Sequence, residues 1–178
     1  MIGHRGDRIE TGAREGTGTI NRMTKPFLIV RRYPYEEPFH THIEISASNG
    51  PFAGTTDVYC NVEDLAEIGN SLQQFPVRVG DEYRYEYGSE NPVRRFHRYL
   101  SLRAYTTDAA GHCALQLRIN NNTSEPNEGS CEFSIRAEAA AINRLGSLFE
   151  RFSSLEHLEL HWTLDDGELF AALQPQPA

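Results

Sequence analysis

Two short stretches set imidazoles and carboxylates at alternate positions: His40, His42 and Glu44 in one, His157, Glu159 and His161 in the other. In an extended chain, side chains two apart share a face, so each triplet is a row of nitrogen and oxygen donors. Brought side by side, such rows could supply the three or four ligands that zinc takes at about 2.0–2.2 Å. The competing reading makes both rows the solvent faces of half-buried strands, polar because water covers them. No further ligand or orienting carboxylate is identifiable. The expectation is therefore no metal and no cofactor, with His40, His42, His157 and His161 as ligands only under the alternative of a metal-dependent enzyme.

Nucleophilic chemistry needs a thiol or hydroxyl beside an activating base. Cys60, Cys113 and Cys131 are odd in number and match no zinc spacing. Cys113 follows His112 directly, so on a strand the two point to opposite faces and do not pair. Two of the cysteines stand at apolar strand positions and read as buried free thiols. Nucleophile elbow, phosphate-cradling glycine loop and H-E-x-x-H helix are all missing, and the chain reads as non-enzymatic.

Binding chemistry has more material. Tyr83, Tyr85 and Tyr87 alternate with Glu82, Arg84 and Glu86. As a contact stripe they would offer rigid amphipathic area, and Tyr83, Tyr85, Tyr87, Glu82 and Glu86 are the expected partner-binding residues. The alternative is a core stripe with hydroxyls at its rim. Arg94, Arg95, His97 and Arg98 surround Phe96 and could grip phosphate or carboxylate, but read better as an outward strand edge balanced by nearby acids. Asp165, Asp166 and Glu168 form a solvated acidic end, without the alternating spacing of a calcium loop.

Positioning these groups requires a folded scaffold, and the composition supplies one. With 178 residues, 39% hydrophobic and 24% charged, the chain can bury a core as one domain. The only lysine is Lys25, and residues 1–25 hold five basic against three acidic side chains. The remainder carries twelve basic and twenty-two acidic side chains, a net of −10. That field disfavours nucleic acid and anionic membranes and favours a basic partner. No apolar run reaches the roughly 18 residues of a membrane span, and no signal-peptide core precedes the fold, so a cytoplasmic location is expected.

Residues 1–22, rich in Gly, Thr and Arg, read as a disordered leader, with Met23 as an alternative start; the Arg5–Asp7 triplet within it reads as chance. Residues 23–170 read as a single α+β domain and 171–178 as a flexible tail. Phe27 to Tyr33 is a first strand. Phe39, Thr41, Ile43, Ile45 and Ala47 share one face of a second, which Asn49-Gly50-Pro51 turns into a third ending at Cys60. Asn61 caps a helix whose Val62, Leu65, Ile68, Leu72 and Phe75 recur at helical spacing until Pro76. A meander follows through Tyr83–Tyr87, Tyr99–Tyr105, Cys113–Ile119 and Cys131–Ile135, then a second helix with Ile142, Leu145, Phe149 and Phe152, and a last strand from Leu158 to Leu164. The fold class is α+β: a mostly antiparallel sheet of about seven to eight strands with two amphipathic helices, 62–75 and 138–152.

A displacement of 77 positions superposes Leu65 on Ile142, Ile68 on Leu145, Gly69 on Gly146, Leu72 on Phe149 and Phe75 on Phe152. Glycine inside a helix costs about 1 kcal/mol against alanine, so the matched pair predicts close packing of Gly69 and Gly146 against the sheet or each other.

The order of segments carries a resemblance. Asp64-Leu65 through Phe75, then Asp108, Gly111-His112, Leu115 and Leu117, then Phe133 and Leu145 to Phe152, resemble the WapI-type immunity proteins and related uncharacterised bacterial domains over residues 27–153. The matching positions are structural, and no site residue carries over. The resemblance implies a cytoplasmic antidote that covers a secreted toxin, often a nuclease, and the acidic folded region suits a basic one. A non-catalytic protein-binding domain is the expected function, with a metal-dependent enzyme or a small-ligand or oligomerisation module as alternatives.

Overall fold

Alternating apolar and polar residues dictate strands, and burial follows that alternation over residues 40–47, 55–60, 82–86 and 131–137, whereas Leu28–Arg32 are buried without a break. The structure, a computed structural model, describes residues 25–175. The expected leader over 1–22 and the start at Met23 lie outside the described residues, as do 176–178. The chain forms β1 (Phe27–Tyr33), β2 (His40–Ser48), β3 (Ala53–Asn61), α1 (Val62–Gln73), β4 (Glu82–Gly88), β5 (Tyr99–Thr106), β6 (Cys113–Asn120), β7 (Ser130–Ala137), α2 (Ala139–Phe152), β8 (Glu159–Thr163) and β9 (Gly167–Phe170). The class is α+β as expected, but the strands divide into two antiparallel sheets, ordered β3-β2-β1-β8-β9 and β4-β5-β6-β7.

A three-stranded meander followed by a helix occurs twice, as β1-β2-β3-α1 and β5-β6-β7-α2. Each helix then hands its next strand to the other meander: β4 pairs with β5, and β8 pairs with β1. The two halves thus exchange strands around the helix pair. Inner faces of both sheets and the buried stripes of both helices close one core, from Leu28 and Val30 through Leu100, Leu102 and Leu117 to Phe149 and Trp162. The Trp162 indole N–H donates to Ala141 O at 2.8 Å, tying β8 to the first turn of α2.

Gly69 and Gly146 meet where α1 crosses α2. A methyl on Gly69 would stand 2.5 Å from Glu150 N, and one on Gly146 would overlap Gln73 N and lie 2.8 Å from Gly69 O. The helices therefore touch backbone to backbone, the close approach expected of the glycine pair. Asn143 of α2 donates to Leu72 O at 2.9 Å and also to Phe75 O, satisfying carbonyls that the end of α1 leaves without helical partners. At the other end of α1, Asp64 Oδ2 accepts from Asn61 N at 3.2 Å.

Several boundaries differ from expectation. Helix α1 ends at Gln73, before Phe75, and α2 begins at Ala139 with Glu138 as its N-cap. Phe39 is not on the core face of β2; it precedes the strand and is 74% exposed. The acidic end is a hairpin, with Asp165 and Asp166 in the turn between β8 and β9. The segment after residue 170 is held at Gln174, whose N–H donates to Glu159 Oε2 at 2.7 Å. Arg94 to Arg98 are not a strand edge but belong to an exposed connection, with a 3-10 turn at Pro92–Arg94, between β4 and β5.

Candidate functional site

The register of the five-stranded sheet decides what its outer face can do. Arg31 on β1 lies opposite Glu44 on β2 and Glu159 on β8, so the two imidazole-carboxylate rows share one face with β1 between them. His42 aligns with Tyr33 and His161 with Ile29, four residues apart along β1. That stagger of roughly 13 Å keeps these two rings apart, while the carboxylates of Glu44 and Glu159, level with Arg31, are separated by two strand spacings of about 4.8 Å each. Among the described residues no group of three or more His, Cys, Asp or Glu side chains is placed to hold a metal ion.

The cation between the rows is Arg31 itself. Its Nη2 donates to Glu159 Oε1 at 3.2 Å and its Nη1 to Glu44 Oε1 at 3.5 Å. Glu159 is fully buried and also bonds His161 and the Gln174 N–H. Burial alone pushes its carboxyl up, but the hydrogen bonds from His161, Gln174 and Arg31, with the Arg31 charge, overcome this and hold it below the usual carboxylate range. The other half repeats the device: Arg103 on β5 donates to Gln116 on β6 at 3.5 Å and to Glu82 on β4 at 2.5 Å. These networks bind strand to strand. His40 lies 3.8 Å from Glu36, and His157 points a buried Nδ1 at no partner among the described residues.

Aromatic side chains collect at the corner where β1, β2 and β3 end. Tyr35 meets Tyr59 edge-on at 5.0 Å between centroids, Tyr59 stacks on His42 at 4.4 Å and 12°, and His42 meets Tyr33 at 5.3 Å. Tyr33, Tyr35 and Tyr59 are 36%, 45% and 51% exposed, a contiguous open aromatic surface. His42 Nε2 also lies 3.2 Å from Asp57 Oδ2, and Asp57 Oδ1 accepts from Arg98 Nε at 3.4 Å. An imidazole-carboxylate pair can shuttle protons, and this ring has a tyrosine on each side. Beside it a cleft of about 390 Å³ is lined by Tyr59, Tyr87, Arg95, Phe96, His97 and Arg98. Glu36 stands on the other flank, where its charge, with burial, raises the Tyr35 phenol above its ordinary value.

The expected stripe on β4 is split by the two-residue period of the strand. Tyr83, Tyr85 and Tyr87 lie on the inner face and pack against the core, while Glu82 and Glu86 point to the opposite side, so the five do not form one patch. Tyr85 donates to Asp64 Oδ2 at 3.4 Å. Burial pushes the Tyr83 phenol up to about 12 and raises that of Tyr85 as well. Glu82 is engaged by Arg84 and Arg103, and Glu86 accepts from Tyr99 Oη at 2.6 Å. Cys60 is buried, and burial moves its thiol up to about 12; Cys113 is buried and Cys131 half-buried, with both thiols likewise raised.

Sequence reasoning missed the aromatic corner because its members come from a strand end, a loop and two further strands. The available signal was Tyr59 on the polar face of β3, in register with His42.

Neither a family model nor a curated protein matches the chain. Among solved structures, the plant transcriptional regulator PBF-2 is similar at 10% identity over 72% of this chain and 75% of that one, with a TM-score of 0.41. At that level the likeness carries no argument.

Proposed function

We propose that this chain is a non-catalytic protein-binding domain that docks its partner on the Tyr33–Tyr35–His42–Tyr59 corner, and that it acts in the cytoplasm as an immunity protein neutralising a basic toxin. One observation carries the reading: contiguous rings with centroids 4.4–5.3 Å apart remain open to solvent at one corner of the sheet. Aromatic side chains immobilised by their neighbours lose little entropy when covered and supply the anchors on which protein interfaces depend. The net charge of −8 favours encounter with a cationic partner and speeds it at low salt. Glu36 beside the rings adds an acceptor for arginine or lysine.

The test pairs the protein with the products of its adjoining reading frames, in calorimetry and in a co-expression survival assay, and a chain that neither binds any of them nor protects against them sinks the immunity reading. The double variant Tyr35→Ala/Tyr59→Ala should bind at least ~30-fold more weakly, the loss of one hot spot of about 2 kcal/mol, and should fail to protect cells. Undiminished protection by the double variant would place the contact elsewhere.

A further inference from the structure

The strand exchange leaves the two sheets unequal in one respect. In the first sheet the exchanged strand β8 is itself covered by β9, whereas the corresponding strand β4 is the last of its sheet. Among the described residues β4 therefore has a hydrogen-bonded neighbour on one side only. The ladder identifies the open groups. Thr106 N donates to Asp81 O at 3.2 Å, and the register pairs Glu82 with Tyr105, which makes Asp81 and Thr106 a bonded pair. Alternation then turns the peptide groups of Tyr83, Tyr85 and Tyr87 toward β5 and those of Glu82, Arg84, Glu86 and Gly88 outward.

We infer that this edge pairs with the same edge of a second copy, joining two four-stranded sheets across an antiparallel β4–β4 seam centred on Tyr85. The side chains select both the occupant and the register. An antiparallel match centred on Arg84 sets Arg84 against Arg84 of the partner subunit and Glu82 against the partner's Glu86, and one centred on Glu86 opposes two glutamates. Centring on Tyr85 sets Arg84 against the partner's Glu86 twice over, Glu82 against the partner's Gly88, and Tyr83 against the partner's Tyr87. Each outward peptide group then meets another in a bonded pair, opposite charges face one another on the outer side, and aromatic pairs line up beneath. Arg84 and Glu82 side chains are 39% and 40% exposed and within reach of a neighbouring strand.

The experiment is sedimentation equilibrium on the full chain across a concentration series. The wild type should reach twice the 20.1 kDa chain mass. Arg84→Glu and Glu86→Arg, each of which creates like charges across the seam, should remain monomeric, and the combined swap Arg84→Glu/Glu86→Arg should restore the dimer. Circular dichroism confirms that each variant is folded. A second measurement is independent of the ion pair: under oxidation Arg84→Cys/Glu86→Cys should yield covalent dimers, since bonded pairs hold their Cα atoms about 5.5 Å apart, within disulfide reach. A wild type that stays monomeric at its solubility limit, or a folded double swap that fails to regain the dimer, overturns the proposal.

Discussion

Replacing Gly146 by alanine tests the helix crossing directly. Helix propensity by itself favours the change by about 1 kcal/mol. The crossing opposes it, because the new methyl would overlap Gln73 N and sit 2.7 Å from the Leu72 carbonyl carbon and 2.8 Å from Gly69 O. Comfortable carbon contacts need about 3.5–4.0 Å, and every one of these neighbours is backbone that cannot rotate aside. The helices must separate by roughly 1 Å, loosening the Leu65, Ile68, Leu72, Leu145 and Phe149 contacts. Overpacking of this kind costs about 1–3 kcal/mol, and contact with rigid backbone puts it at or above the upper end. After the propensity gain, Gly146→Ala should lose about 2 kcal/mol, a fall in Tm of roughly 4–8 °C for a domain of this size. Urea titration followed by circular dichroism measures it. Gly69→Ala should cost a similar amount, and the double variant less than the sum, since one displacement makes room for both methyls. A Gly146→Ala protein as stable as wild type or more so would refute the backbone-to-backbone crossing.

Two further outcomes follow from the buried groups. Glu159 has a folded-state value below its unfolded one, so its contribution is complete above the unfolded carboxylate range and disappears as pH falls through the folded value. The wild type should lose stability below about pH 5, whereas Glu159→Gln should start about 3 kcal/mol lower and show a flatter acid limb; identical acid profiles would count against the Arg31–Glu159 pair as a stabilising element. Native-state alkylation at mildly alkaline pH should label Cys131 first and spare Cys60, whose thiol burial moves to about 12; mass spectrometry showing equal labelling would contradict the packing around β3.

Much of the scaffold was legible because burial imposes short periods. Leu65, Ile68 and Leu72 follow the 3.6-residue helix, and Thr41, Ile43, Ile45 and Ala47 follow the two-residue strand, each buried as the period requires. The glycine pair was legible too, since two helices that touch need the same small residue at matching turns. The division into two sheets was not, and neither was the position of β8, because a strand carries no local mark of the neighbour it pairs with. Phe39 was misplaced by extending the β2 alternation one residue past its end, where the chain turns through Pro38.

The candidate surfaces divide along the same line. Local pattern alone determined that Tyr83, Tyr85 and Tyr87 share a face and that His42 and Glu44 share another, since neighbouring residues fix their relative directions through bond geometry. Tertiary structure alone decided that the tyrosines of β4 turn inward, that Arg31 stands between the two histidine rows, and that Tyr33, Tyr35, His42 and Tyr59 meet at one corner. Those outcomes depend on strand register and on which strand lies beside β1, and both join residues far apart in the chain, which no local pattern encodes.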